Sequence, residues 1–260
     1  MSKRMTPHYG NYGQNWMIGT VACLIVAGTV VTLLLGTWIG FALLGVFLTV
    51  SGVCLLLTYL VSLSRLDQRR AFDVSKLLPF RGTESALDLG CGLGKLTVGL
   101  ARVLPHGLVT GIDIWETAEL PGNSPERAMR NAVAEGVGDR VRFESGDITS
   151  LQYDDESFDI FAGANVFNNL RGDEMKLKAL REAIRVLRAG GHLMLIEVLR
   201  EPTGLLYATP LYYWMLKTRS QWEELITRAG FSHIVFNRLG DMGCFVATKG
   251  ASLQDVAEST

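Results

Sequence analysis

From Met5 to Ser64 the chain contains no Asp, Glu, Lys or Arg, a run of 60 uncharged residues. Within it, Met17–Leu35 and Trp38–Leu60 are each long enough to cross a hydrocarbon layer, which takes roughly 20 residues. Only Gly36 and Thr37 separate them, so two helices in a tight antiparallel hairpin are expected. A cleaved signal peptide behind Lys3 and Arg4 fits poorly, because the apolar region is too long and no small-residue cleavage site precedes a folded domain. A buried helical pair of a soluble protein is the other reading. Lys3 and Arg4 precede the first span, and Arg65, Arg69 and Arg70 follow the second, which places both ends in the cytoplasm. Trp16 and Trp38 suit opposite membrane interfaces. Gly36, Gly40 and Gly45 permit close helix contact, and the hairpin offers a surface for a homo-oligomer.

The rest of the chain is ordinary in charge. A formal net charge of −1 gives no basic field for nucleic acid. Cys23 and Cys54 lie in the spans, Cys91 in a glycine turn and Cys244 in an expected strand. No Cys/His spacing points to a metal, and packing is their expected role.

Residues 86–97, Ala-Leu-Asp-Leu-Gly-Cys-Gly-Leu-Gly-Lys-Leu-Thr, read as a buried strand, a glycine turn and the start of a helix. Gly90, Gly92 and Gly94 leave room where side chains would block a ligand. A dinucleotide fingerprint needs a third glycine where Lys95 stands, and a P-loop needs Gly at Leu89 and Ser or Thr at Leu96.

A strand with Asp88 followed by G-x-G-x-G resembles the first motif of class I S-adenosylmethionine-dependent methyltransferases. Gly107–Asp113 follows as an apolar strand ending in an acid, 19 residues after Gly94. Arg140–Asp147, Ser157–Asn165, Arg185–Val198, Leu225–Phe231 and Cys244–Lys249 resemble the later strands and the last helix, so the resemblance covers about residues 70–250. It implies an α/β fold: a Rossmann-like, seven-stranded, mostly parallel sheet with the last strand antiparallel. The implied organisation is a membrane hairpin over 1–64, a basic linker helix over 65–82, the methyltransferase domain over 83–250 and a flexible tail over 251–260.

The resemblance also implies site residues. Asp88, Gly90, Cys91 and Gly92 hold the amino-acid end of S-adenosylmethionine, partly through glycine amides. Asp113 takes the ribose hydroxyls, with Ile114 and Trp115 beside it. Gly146, Asp147 and Ile148 receive adenine, and Asn165 stands near the reacting methyl. Trp115 either covers the adenine or packs its own loop. The product is S-adenosylhomocysteine.

A base is harder to read from the residues. Glu197, Asn168 and Tyr207, with Asn165, lie nearest the expected acceptor position, whereas His106, His192 and His233 fall in turns or at strand starts. Pro202–Leu216, 15 uncharged residues with Tyr207, Tyr212, Tyr213 and Trp214, follows the fifth strand. It suits an acceptor pocket, a lid, a membrane-dipping loop or an extra core helix. The leading expectation is an anchored methyltransferase acting on a small apolar or lipid-like acceptor at the cytoplasmic membrane face. A methyltransferase for a soluble small molecule and a noncatalytic cofactor-binding module are the alternatives.

Overall fold

The computed structural model describes residues 6–11, 14–35, 37–65, 67–207 and 210–250, without the side chains of 14–16, 62, 64, 206, 210 and 211. Lys3, Arg4, Gly36 and the expected tail over 251–260 lie outside them.

Two long apolar helices, α1 (Gln14–Leu35) and α2 (Ile39–Arg65), pack against each other as a hairpin. Their contact is close because it is built on glycine. A Cβ on Gly28 would sit 2.6 Å from the Gly45 carbonyl, and one on Gly45 would sit 2.8 Å from the Gly28 carbonyl. Thr32 and Thr49 return their hydroxyls to the Gly28 and Gly45 carbonyls one turn back, so these two hydroxyls are satisfied within their own helices.

After the hairpin the chain alternates between strands and helices. The strands are β1 (Ser85–Leu89), β2 (Leu108–Asp113), β3 (Val141–Ser145), β4 (Phe158–Ala164), β5 (Leu187–Glu197), β6 (Phe231–Leu239) and β7 (Met242–Lys249). They form one sheet in the order β3-β2-β1-β4-β5-β7-β6, and only β7 runs against its neighbours. Alternate strand residues feed two cores, with Ala86, Ile160 and Met194 on one face and Leu87, Phe161 and Leu193 on the other. Helices α3 (Lys95–Val103) and α4 (Pro125–Ala134) cover the first face. Helices α5 (Gly172–Val186) and α7 (Arg219–Ala229) cover the second. Ser124 caps α4 ahead of Pro125, and Thr218 with Gln221 forms a capping box on α7. Between β5 and α7 lie a 3-10 turn, Pro202–Leu206, and the short helix α6 (Pro210–Met215).

The expected linker helix does not form. Residues 67–82 run as turns, because local side chains outcompete the helix. Asp67 accepts the Arg69 amide, and Asp73 accepts both the amide and the hydroxyl of Ser75. The apolar residues of the segment still pack, with Val74 and Leu78 in the core under α3.

Residues 6–11, ahead of α1, fold back onto the domain. Tyr9 is buried, its amide donates to the Gln68 carbonyl and its hydroxyl to Glu135. The side chain of Asn131 on α4 clasps both polar groups of the His8 backbone and the Leu93 carbonyl. On the far side of the hairpin, Lys95 donates to the Asp67 carbonyl and Phe72 donates to the Lys95 carbonyl. Both chain segments that flank the hairpin therefore lie beside the glycine turn.

Candidate cofactor site

The turn between β1 and α3 sits at the carboxyl end of the parallel strands, where open α/β sheets bind ligands. Gly90, Gly92 and Gly94 all have positive φ, at 56°, 51° and 83°. A Cβ on Gly90 would lie 2.4 Å from Val166, so this position tolerates no side chain. Three of the turn's amides are engaged inside the fold. Cys91 donates to the Ile112 carbonyl, Gly94 to the Cys91 carbonyl and Gly92 to the Asp113 carboxylate. These three N–H groups hold the turn's shape; the Gly92 amide, expected at the amino-acid end of the cofactor, is donated here to Asp113. Cys91 is buried with its sulfur beside Gly111, and burial raises its thiol far above the ordinary range.

Asp88 is buried beneath the turn. One carboxylate oxygen accepts the Thr97 hydroxyl at 2.5 Å, and the other is buried without a partner. Desolvation pushes its pKa up to about 7 against the opposing Thr97 hydrogen bonds, and nearby Asp113 adds to the rise. A cationic or donor group arriving at that orphaned oxygen would relieve it.

Asp113 closes β2. Oδ2 accepts the Gly92 amide at 2.8 Å, while Oδ1 accepts the Trp115 amide at 2.7 Å and the Asn123 side chain at 3.1 Å. A carboxylate offers about four acceptor positions, so one on Oδ2 remains. Asn123 comes from the long loop after β2; it is buried and its Oδ1 lacks a partner. Nothing local in the sequence marked it, because its role depends on a contact with Asp113 ten residues away.

Beside Asp113, Ile114 is 70% exposed although apolar. Ile148 is buried, and Asp147 next to it is exposed, with Oδ1 holding the backbone and hydroxyl of Thr149. Gly146 donates to the Asp113 carbonyl. Trp115 has a left-handed backbone, φ 59°, and a half-buried ring whose Nε1 is buried without a partner.

The four residues expected near the acceptor are mostly occupied. Asn165, also left-handed at φ 56°, accepts the Val198 amide and donates to Met242 Sδ, joining β4 to β5 and β7. Glu197 is fully buried, and its oxygens accept the amides of Phe167 and Asn168 in the 3-10 turn Phe167–Asn169. Burial raises it to about 8, opposed by those amides and by Lys176. Asn168 donates to the Val198 carbonyl and keeps an unpartnered, buried Oδ1. Tyr207 donates to Asp241, and burial raises its hydroxyl well above the usual phenol range. Glu197 and Tyr207 thus hold structure in place. Farther across the mouth, Asn169 takes the Tyr212 hydroxyl and donates to Glu119, linking α6, the 3-10 turn and the loop after β2.

A cleft of about 280 Å³ at the opposite, amino end of the parallel strands, near Phe80, Gly191 and His192, is bordered by Arg81 and Arg188, which both pair with Asp159.

The sheet order, the glycine turn and the acids at the ends of β1 and β2 give a Rossmann-like fold of the kind found in S-adenosylmethionine-dependent methyltransferases. Residues 87–195 match the family model described as a methyltransferase domain. Over 127 residues, 49% of this chain and 43% of the relative, it is 35% identical to the 27-O-demethylrifamycin SV methyltransferase of Amycolatopsis mediterranei. Over 121 residues, 46% of this chain and 45% of the relative, it is 36% identical to a demethylmenaquinone methyltransferase of Roseiflexus castenholzii. The chain thus spans less than half the length of these curated relatives. The fold matches the crystal structure of a SAM dependent methyltransferase from Aquifex aeolicus at TM-score 0.57 and 19% identity, over 74% of this chain and 98% of that one. The site's orphaned acceptors on Asp88 and Asn123, and its Cβ-free turn, fit a ligand with an amine at one end and hydroxyls at the other.

Proposed function

We propose that this protein is a membrane-anchored methyltransferase that moves a methyl group from S-adenosylmethionine to a small apolar or lipid-like acceptor at the cytoplasmic membrane face. The observation that carries this reading is the position of the hairpin. Its flanking segments, 6–11 and 67–72, are hydrogen-bonded beside the glycine turn, and Arg65 at the end of α2 pairs with Asp241 beside β7 at that same sheet edge. A bilayer around the hairpin would therefore face the mouth of the site. Only 11% of each apolar span is buried inside the protein, which argues against core helices of a soluble fold and leaves that surface for lipid. Arg65, Arg69 and Arg70 at the exit favour the cytoplasmic side.

S-adenosylmethionine supplies an electrophilic methyl on a sulfonium. The chain's task is to position and to exclude water. Asp88, poised by Thr97, faces the amino-acid end. Asp113 and Asn123 receive the ribose hydroxyls, and Ile114 and Ile148 flank adenine with Asp147 at its amino group. Asn165 and Asn168 line the approach to the methyl. With Glu197 and Tyr207 engaged elsewhere, this reading favours an acceptor whose own nucleophile ionises readily.

The test is to incubate the full chain, in lipid nanodiscs, with methyl-labelled S-adenosylmethionine and a membrane lipid extract. Label in the organic phase supports the reading. Label confined to water-soluble products points to a soluble acceptor, and cofactor binding without any turnover points to a noncatalytic module.

A further inference from the structure

The segment between β5 and α7 is a closed excursion. Its ends are joined where the Arg200 amide donates to the Lys217 carbonyl at 2.9 Å. Among the described residues, its interior is pinned by Tyr207 to Asp241 at 2.7 Å and by Tyr212 to Asn169 at 3.0 Å. Leu216 enters the core. Such anchoring usually serves to present something, yet Leu205, Trp214 and Met215 are 46%, 71% and 62% exposed. No charged residue occurs from Pro202 to Leu216. The 3-10 turn Pro202–Leu206 packs directly against α2, and Leu57, Leu60 and Val61 toward the end of that helix are exposed too. Apolar surface therefore continues from the flank of α2 across Leu205 to the tip of α6.

We infer that the α6 tip, with Trp214 and Met215 at its end and Leu205 behind it, is a second membrane contact that rests in the interfacial layer beside α2. This rests on the proposed hairpin anchor. A tryptophan with an apolar body and a polar N–H suits that layer. Three side chains fall well short of the roughly 800 Å² per partner that a stable protein contact buries, which argues against a second copy as the occupant. The contact has a consequence for the substrate. Tyr212 lies on the same short helix and reaches Asn169 at the mouth of the site, so a lipid-dissolved acceptor would enter along the inner side of this foot.

The experiment uses the full chain in nanodiscs whose phospholipids carry brominated acyl chains, compared with unbrominated ones. Tryptophan emission is recorded for the wild type, Trp214→Phe and Trp38→Phe, and the contribution of each ring is taken by difference. S-adenosylhomocysteine binding confirms that each variant is folded. The inference predicts that bromine removes most of the Trp214 contribution as well as that of Trp38. Quenching of Trp38 with Trp214 unaffected would overturn the foot while leaving the hairpin anchor intact. If neither ring is quenched, the membrane reading and the foot fall together. A Trp214 signal indifferent to bromine and sensitive only to protein concentration would assign the tip to self-association.

Discussion

Arg65, the last residue of α2, forms a 3.0 Å ion pair with Asp241 in the two-residue turn between β6 and β7, 176 residues away. Asp241 also accepts the Tyr207 hydroxyl, so one carboxylate joins the hairpin, the final strand pair and the segment after β5. Their hydrogen bonds hold Asp241 below the usual carboxylate range. Both partners of the ion pair are partly exposed, so its worth to stability is at most about 1 kcal/mol. Asp241→Ala should therefore leave the unfolding midpoint nearly unchanged and S-adenosylhomocysteine affinity within about twofold. It should instead slow methylation of a membrane-held acceptor severalfold, because the pocket loses its fixed bearing on the bilayer. Equal loss with a detergent-dissolved acceptor would refute that explanation.

Glu197 and Lys176 grip Phe167 from both sides. Glu197 accepts its amide, and Lys176 donates to its carbonyl. Both side chains are buried, so removing one leaves the backbone groups it serves without a partner. Lys176→Met should cost about 1–3 kcal/mol in urea denaturation, the desolvation penalty of an unsatisfied buried group. Lys176→Met combined with Glu197→Gln should cost less than the two singles added together, since the pair is coupled. Additive losses would contradict a shared role.

Two buried acids set the response to pH. Asp88 and Glu197 are raised to about 7 and about 8 in the folded chain, mainly by desolvation, from ordinary values near 4. The folded state thus binds more protons than the unfolded one between about pH 4 and 8, and their contribution is lost as pH rises through that window. The ligand-free protein should melt higher at pH 5.5 than at pH 8, and Asp88→Asn should flatten part of the slope. Calorimetric melting at both values, in wild type and variant, decides it.

Tyr9 is a core residue placed ahead of the hairpin. Tyr9→Ala removes a buried ring and should cost about 3 kcal/mol. Because Asn131 and Leu93 lose their covering, cofactor affinity should fall as well, by about tenfold. Unchanged affinity at a lowered melting point would make the segment a brace only.

At the hairpin contact, a Cβ on Gly28 would meet Thr49 Oγ1 at 2.4 Å, and one on Gly45 would meet Thr32 Oγ1 at 2.1 Å. Gly28→Leu should push the helices apart, while Gly40→Leu, with nothing within 4 Å, should not. Hydrogen exchange of the two helices in nanodiscs reports the difference.

The sheet was legible because its signals are local. Period-two apolar strands, the G-x-G-x-G turn and the acids at strand ends lie within a few residues of one another. What escaped depends on long-range contact. Asn123 matters through Asp113, Glu197 through the 3-10 turn, and Tyr9 through Gln68 and Glu135. The linker misled for another reason. Its spacing of Arg and apolar residues imitates a helix, but Asp67 and Asp73 bind their own following amides and stop it.

The most direct measurement is a calorimetric titration of the nanodisc-held full chain with S-adenosylhomocysteine, alongside Asp113→Asn and Asp147→Ala. The account predicts saturable one-site binding in the wild type, weakened about tenfold or more by each substitution. No heat of association in folded wild-type protein, or full affinity in both variants, would contradict it.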